Sequence, residues 1–347
     1  MSLIDRLGLS VPVIQAPMAG VSTPRMAAAV SNAGALGSIS VGATDAVGAG
    51  QMIADTRALT DRPFNVNLFV HAAPRRDPVN EAAWLQALAP QFAAFGAAPP
   101  AGLGVIYRSF ADDDAMLARL LADPPAAVSF HFGLPDTTRI RALKAVGCLL
   151  LATATTLDEA LTCKAAGVDA LVAQGWEAGG HRGMFDPDAE DSRLGAMALT
   201  RLLVARAGPV ITAGGIMDGQ GVRAAPNLGA VAVQMGTAFV ACPESAADAG
   251  YRAALAGDAA LHTVMTRAIS GRPARCLANR FTAWDATTAA VPPDYPVAYD
   301  AGKALNAAAK SAGEFGFGAQ WAGQGAALAR TLPAADLIAA LVAEMDV

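Results

Sequence analysis

Cysteine is scarce in this 347-residue chain, and its four copies, Cys148, Cys163, Cys242 and Cys276, never stand at a CxxC spacing. That excludes a zinc ribbon and argues against a disulfide framework, leaving reduced core thiols. Basic runs are missing as well: nothing exceeds the pair Arg75-Arg76. With a net charge of −5 and a pI of about 5.4, nucleic acid is excluded as a partner. Hydrophobic residues make up 54% of the chain and the mean hydropathy is +0.36, yet no uninterrupted apolar run is long enough to cross a bilayer. The N-terminus places Asp5 and Arg6 in its first turn and lacks a basic region followed by an apolar block. A secretory signal is therefore not expected, and the expectation is a cytoplasmic protein with no membrane partner. There is no GxGxxG after a strand, no Ser-His-Asp order, no metal-ligand spacing and no close pair of carboxylates. A metal site is not expected, and small molecules are the expected partners.

What is present is a regular alternation of short apolar runs with helical segments. Strands start near Val13, Leu36, Phe64, Ala127, Cys148, Ala170, Pro209 and Ala230, and eight such units separated by helices give the α/β class as a (β/α)₈ TIM barrel. The barrel is expected over residues 1–240. Residues about 71–110, rich in proline and alanine with one helix-like stretch from Val79 to Phe95, read as an insertion. After about Ala241 the strand signal fades, so residues 241–347 are expected to form a mostly helical cap region beside the barrel mouth.

The stretch Pro209 to Val240 organises the reading. Pro209-Val-Ile-Thr-Ala213 is a buried strand that stops at Gly214-Gly215. Asp218 can cap a helix over roughly Gly219 to Ala225, with Pro226 and Gly229 ending it, and Ala230 to Met235 gives a second strand ending at Gly236-Thr237. Paired glycine turns after neighbouring parallel strands can hold a phosphate, because backbone N–H groups then approach an anion closely, and barrels keep such a site after their last two strands. Each turn alone serves equally well as a plain change of direction; the pair is the more specific signal.

The loop Gln174 to Gly183 is too rich in glycine and polar groups to be a plain connection. His131 falls at the C-terminal end of its strand, where barrel enzymes place catalytic side chains. Its rival reading is a satisfied core histidine between Phe130 and Phe132. His71 and His181 are weaker candidates, and His181 can serve to orient its own loop. Asn67 and Gln174 can be buried amides that tie strands together. Tyr299 and Lys303, four apart, share a face if they lie on a helix and can then offer a hydroxyl and an ammonium to an anion.

Taken together, Gln15-Ala-Pro-Met-Ala-Gly20, Asn65-Val-Asn67, Ser129-Phe-His-Phe-Gly133, Gln174 to Gly183, Ala213-Gly-Gly-Ile216 and Gln234-Met-Gly-Thr237 resemble the nitronate monooxygenases, closest to class I. The resemblance runs from about Val11 to Arg330, and EAGGHRG at Glu177 to Gly183 is its most specific piece. It implies an FMN-containing barrel that oxidises alkyl nitronates, such as propionate 3-nitronate, with O2 to a carbonyl compound and nitrite. By motif, the FMN contacts fall on Pro17 and Met18 below the ring, Asn67 and Gln174 on its polar edge, and Gly179 and Gly180 nearby. Gly214, Gly215, Gln234, Met235, Gly236 and Thr237 would hold the phosphate. The resemblance assigns the active-site histidine to His131, as a base or as a protonated partner of a nitronate oxygen, and places Tyr107, Tyr295, Tyr299 and Lys303 around the substrate. A monomer or homodimer is expected. The competing readings keep the fold: an FMN-dependent NAD(P)H:quinone or enoyl-thioester reductase, or a non-catalytic flavin carrier.

Overall fold

A computed structural model of the protein describes residues 2–345. Six parallel strands come first, β1 (Val13–Gln15), β2 (Gly37–Ser40), β3 (Phe64–Phe69), β4 (Ala127–His131), β5 (Leu149–Ala154) and β6 (Ala170–Gln174). A two-residue strand β7 (Gly180–His181) interrupts the series before β8 (Val210–Ala213) and β9 (Ala232–Met235). The eight long strands pair in the order β1-β9-β8-β6-β5-β4-β3-β2. The ring closes between β1 and β2 through the Ile14–Leu36 bridge, with Gln15 N donating to Leu36 O at 2.9 Å and Leu36 N to Val13 O at 2.9 Å. This is the expected TIM barrel, and every expected strand starts within two residues of its observed start.

The strands are buried along almost their whole length because helices cover the outer face and side chains fill the inside. Helix entries follow their sequence signals. Thr23 caps the helix Pro24–Asn32, whose first residue is proline, and Asp218 caps Gly219–Asn227 through Gly221 N. Pro226 does not stop that helix early; the helix runs through it to Asn227, because a proline in the last turn forfeits only one backbone bond there.

Three features differ from the sequence reading. The region after 241 contains strands: β10 (Thr263–Thr266) pairs antiparallel with β11 (Ala274–Leu277), and β11 pairs with β7. The last helix, Ala334–Met345, does not cap the mouth. Its Leu337, Ile338 and Leu341 pack with Val222 and Ala225 on one side and Met26 and Val30 on the other, so it completes the outer helical ring. Finally, the insertion helix Pro78–Ala93 joins the same apolar cluster as helix Val297–Ser311, through Trp84, Leu88 and Phe92 against Val297, Ala301 and Leu305. The cover over the barrel is therefore built from two distant parts of the chain.

Candidate active site

At the C-terminal ends of the strands lies a cavity of about 520 Å³, a size ordinary for a cofactor site. Its floor is the barrel's polar upper layer. Asn67 Nδ2 donates to Ser129 O (3.2 Å) and Ser129 Oγ (3.1 Å), and its Oδ1 accepts from Ser40 Oγ (3.2 Å), so the amide ties β2, β3 and β4 together. Gln174 Nε2 donates to His181 O (2.9 Å) and its Oε1 accepts from Gly183 N (2.7 Å). Both amides line the cavity while holding the wall in place, so they keep only their remaining valences for a ligand.

The glycine cradle is present. Gly214 and Gly215 lie at φ +125° and +71°, and a Cβ on Gly215 would sit 3.3 Å from Glu177 Cβ. Glycine is required there by backbone conformation and by the packing of Glu177. No hydrogen bond within the described residues engages the amides of Gly214, Gly215 or Gly236. Gly236, with ordinary φ, faces Ala16 and Met18, which brings the Pro17-Met18 loop beside the second glycine turn. Pro17, Met18, Gly179, Gly180, Gln234, Met235 and Thr237 all line the cavity with these glycines. A phosphate-bearing planar cofactor fits this donor set: free amides at one end, polar amides at mid-depth and apolar residues beneath.

The loop that carries EAGGHRG is held by contacts that explain its residues. Glu177 accepts from Ala196 N at 2.9 Å and so caps helix Ala196–Arg206, whose own N-cap is Gly195. A Cβ on Gly179 would lie 2.4 Å from Gly323 N. Arg182 is buried against Asp191 (2.7 Å) and donates to Gln174 O. Pairing of β7 with Ala274 and Arg275 of β11 then fixes His181 at the cavity wall.

The two histidines sit in different hydrogen-bond environments. His131 ends β4 and lines the cavity, but both its nitrogens are engaged: Nε2 donates to His181 O (3.1 Å), and Nδ1 therefore accepts from Thr153 Oγ1 (3.0 Å). Burial pulls its imidazole down to about 4, with Arg272 and Arg182 adding to the shift against the bond to His181, so a protonated His131 is disfavoured. His181 Nε2 lies 2.9 Å from Ser270 Oγ. Its Nδ1 has no partner among the described residues and is not sealed away, so it faces the cavity the ring lines. Burial, then the competing imidazole of His131 and the charge of Arg272, hold His181 well below its ordinary value. Ser270 sets what Nδ1 presents. When its hydroxyl donates to Nε2, Nδ1 carries the proton; when it turns to Arg272 O at 3.3 Å, Nδ1 is bare.

Tyr299 and Lys303 do share a face, on helix Val297–Ser311, and both line the cavity with Tyr107. Lys303 Nζ stands 4.9 Å from the Tyr107 ring centre and 5.7 Å from that of Tyr299, with no carboxylate within 4 Å among the described residues. Burial lowers its ammonium and pushes the Tyr107 phenol up to about 12. Tyr295 stands behind this wall, packed on His71, Phe132 and His181 with ring centres 5.1, 5.4 and 5.4 Å away. Its hydroxyl is buried without a partner. The sequence reading missed Thr153, Ser270 and the segment Trp321 to Gly325, whose Gly323 and Gly325 line the cavity; the Gly-x-Gly there was the available signal.

A barrel with a glycine cradle, a polar ledge and a neutral imidazole at its mouth defines a flavin-dependent oxidoreductase. The nitronate monooxygenase family model matches residues 1–344, and the chain belongs to that family. It is 61% identical over 346 residues to the nitronate monooxygenase of Paraburkholderia phytofirmans, covering 99% of this chain and 94% of that one. To the nitronate monooxygenase of Pseudomonas aeruginosa it is 58% identical, covering 98% and 97%. Among solved structures, nitroalkane oxidase from Streptomyces ansochromogenes superposes with a TM-score of 0.90 at 41% identity, covering 99% and 98%. FabK from Thermotoga maritima superposes at 0.74 with 28% identity, covering 99% and 95%. Among the described residues no helix is long and apolar enough to cross a membrane, and no group of ligating side chains could hold a metal ion.

Proposed function

We propose that this chain oxidises alkyl nitronates with O2 to a carbonyl compound and nitrite, using FMN held in the cavity. The observation that carries the reading is the charge arrangement around His181 Nδ1. A neutral imidazole nitrogen and the ammonium of Lys303, with Asp300 nearby but no carboxylate within 4 Å among the described residues, face the same space. That space suits an anion already formed. It is poorly equipped to make one, because an imidazole held well below its ordinary value is a weak base toward a carbon acid.

FMN would rest on Pro17 and Met18, meet Asn67 and Gln174 at its polar edge, and run past Gly179 and Gly180. Its phosphate would take amides from Gly214, Gly215 and the run Gln234 to Thr237. When bound, it supplies the acceptor through which substrate electrons reach oxygen. The chain's own groups then bind and orient: His181 donates from Nδ1 to a nitronate oxygen, Lys303 adds Coulomb attraction, Tyr107 and Tyr299 roof the site against water, and Tyr295 backs them from behind the wall. His131 acts through His181, because its Nε2–H holds the His181 carbonyl.

The likeness to FabK keeps the reductase alternative in play. Stopped-flow mixing of the anaerobic protein with propionate 3-nitronate, and separately with NADH, discriminates. Rapid flavin bleaching by the nitronate and little by NADH is expected, and the reverse pattern would replace this reading with a reductase. Acid should release FMN; finding FAD would overturn the cofactor assignment.

A further inference from the structure

Behind the cavity wall stands a charge that the proposed reaction has not used. Arg272, 3% exposed, follows β10 on the turn that leads into β11. Its Nη2 donates to the carbonyls of Met184 and Phe185, its Nε is buried with no partner, and no carboxylate oxygen lies within 4 Å of it among the described residues. Of the other three deeply buried arginines, Arg182 is neutralised by Asp191 at 2.7 Å and Arg139 by Asp114 at 2.6 Å, while Arg275, also 3% exposed and without a carboxylate within 4 Å among the described residues, has its Nε and Nη2 satisfied by Trp176 O at 3.2 and 2.9 Å. Burying a guanidinium without a counter-charge is costly, so its retention calls for a reason.

The position supplies one. The Arg272 guanidinium carbon lies 4.2 Å from the ring centre of Phe132, and that ring packs on His131 at 4.5 Å and on His181 at 5.5 Å. The charge is thus one aromatic ring behind the two imidazoles of the cavity wall. Phe132 itself takes φ +78°, a conformation bulky residues rarely adopt, immediately after His131. Stacking under a cation helps hold it there. On the cavity side Arg272 faces His71, His131, His181 and Tyr295; on the outer side it faces Arg267, Glu159 and Asp186. Both carboxylates are already occupied. Glu159 accepts from Phe185 N, Thr155 N and Thr155 Oγ1, and Asp186 accepts from Asp188 N.

Resting on the nitronate reading, we propose that Arg272 is a positioning residue for the anionic substrate, a permanent positive charge that holds the anion at the His181 side of the cavity through the Phe132 and imidazole layer. The same field opposes protonation of His131 and His181, behind burial in each case and, for His181, behind His131 as well. Arginine suits the task because it stays charged even where burial draws it down to about 10, whereas a lysine in its place starts from a lower pKa and would lose its proton on the alkaline side of neutrality.

Inorganic nitrate, a planar anion shaped like the nitronate head, is the probe, titrated into holoenzyme and followed by the flavin absorbance change. Arg272→Met should bind nitrate at least tenfold more weakly with flavin content unchanged, and Arg272→Lys at pH 6 should stay within threefold of wild type. Raising the pH to 9 should then weaken Arg272→Lys relative to wild type at the same pH, as the buried ammonium discharges. Equal losses in the Met and Lys variants at pH 6, or undiminished affinity in Arg272→Met, would overturn the proposal. If Arg272→Met does not fold, the Lys pH series and wild type decide. Wild-type affinity should not climb as pH falls from 8 to 5.5; a one-proton rise centred near 6.5 would assign the anion to an imidazolium and refute the role given to Arg272. Nitrate binding is read without turnover, so failure of the nitronate reaction would be seen separately.

Discussion

Replacing His181 and His131 in turn separates the nitrogen that meets substrate from the one that shapes the wall. In His181→Asn the cavity loses Nδ1, the ring nitrogen without a partner among the described residues. One hydrogen bond to an ionised acceptor is worth about 1.5–3 kcal/mol, so kcat/KM for a nitronate should fall about 10–150-fold. In His131→Asn, on the proposed division of roles, no substrate contact is lost. Two internal bonds go, to Thr153 Oγ1 at 3.0 Å and to His181 O at 3.1 Å, at about 0.5–1.5 kcal/mol each in stability. The His181 carbonyl keeps its second donor, Gln174 Nε2 at 2.9 Å, so the loop should stay in place and kcat/KM should drop less than about tenfold. The melting temperature should fall by several degrees, more than in His181→Asn, which gives up a single bond to Ser270. A neutral nitroalkane and its own nitronate should be assayed with wild type and both variants at matched flavin content. Wild type is expected to favour the nitronate strongly. Whatever nitroalkane turnover it has should fall about 10²–10⁴-fold in His181→Asn if Nδ1 takes the carbon proton. A His131→Asn enzyme inactive toward the nitronate beside a near-normal His181→Asn would refute the division of roles.

Gly236→Ala should fold normally, because its Cβ would make only ordinary contacts at 3.4 Å to Ala16 and 3.6 Å to Met18, yet retain less flavin by absorbance; undiminished FMN would place the phosphate elsewhere. By contrast Gly215→Val should lower the melting temperature of flavin-free protein too, since φ +71° and Glu177 both oppose a side chain there; an unchanged value would contradict the backbone argument. His71, His131 and His181 are all held below their ordinary value, so the unfolded chain binds more protons under acid conditions. Stability should therefore be intact above pH 6.5 and fall from there toward pH 4, by up to about 1.4 kcal/mol per pH unit for each histidine. Thermal melts across that window should show a shallower slope in His131→Asn, and an identical slope would mean that His131 titrates normally.

The barrel was legible because its strands are short, β-branched and buried on both faces, a pattern that propensity and burial support together. Starts at Leu36, Cys148, Pro209 and Ala230 came one or two residues ahead of the strands at Gly37, Leu149, Val210 and Ala232. What escaped depends on partners far along the chain. Ala274-Arg-Cys-Leu277 has no strand-like alternation and is extended because Thr263–Thr266 and β7 pair with it on either side. Helix Ala334–Met345 gave no sign of its destination, since an apolar helix reads alike whether it caps a mouth or closes a ring. At the site, glycine turns and the motif loop could be named from local sequence. The proposed division of roles between His131 and His181 could not, because it turns on Thr153, Ser270 and Gln174, three hydrogen-bond partners from separate segments.

The proposed division also gives a physical reason for the paired histidines. A substrate that arrives as an anion needs donors and positive charge, and a fixed donor is best made from a ring that cannot take a second proton. Burial keeps both imidazoles neutral, the Ser270 hydroxyl can direct the proton of His181 toward the cavity, and His131 spends its own N–H on the backbone that carries His181. Positive charge comes instead from Lys303 in the wall and Arg272 behind it. The cover completes the arrangement. Helix Pro78–Ala93 braces helix Val297–Ser311, which sets Tyr299 and Lys303 over the opening, so the floor that suits a flavin and the roof that suits an anion come from different parts of the chain. Changes confined to the roof should alter which anion is accepted while leaving the glycine cradle and its cofactor in place.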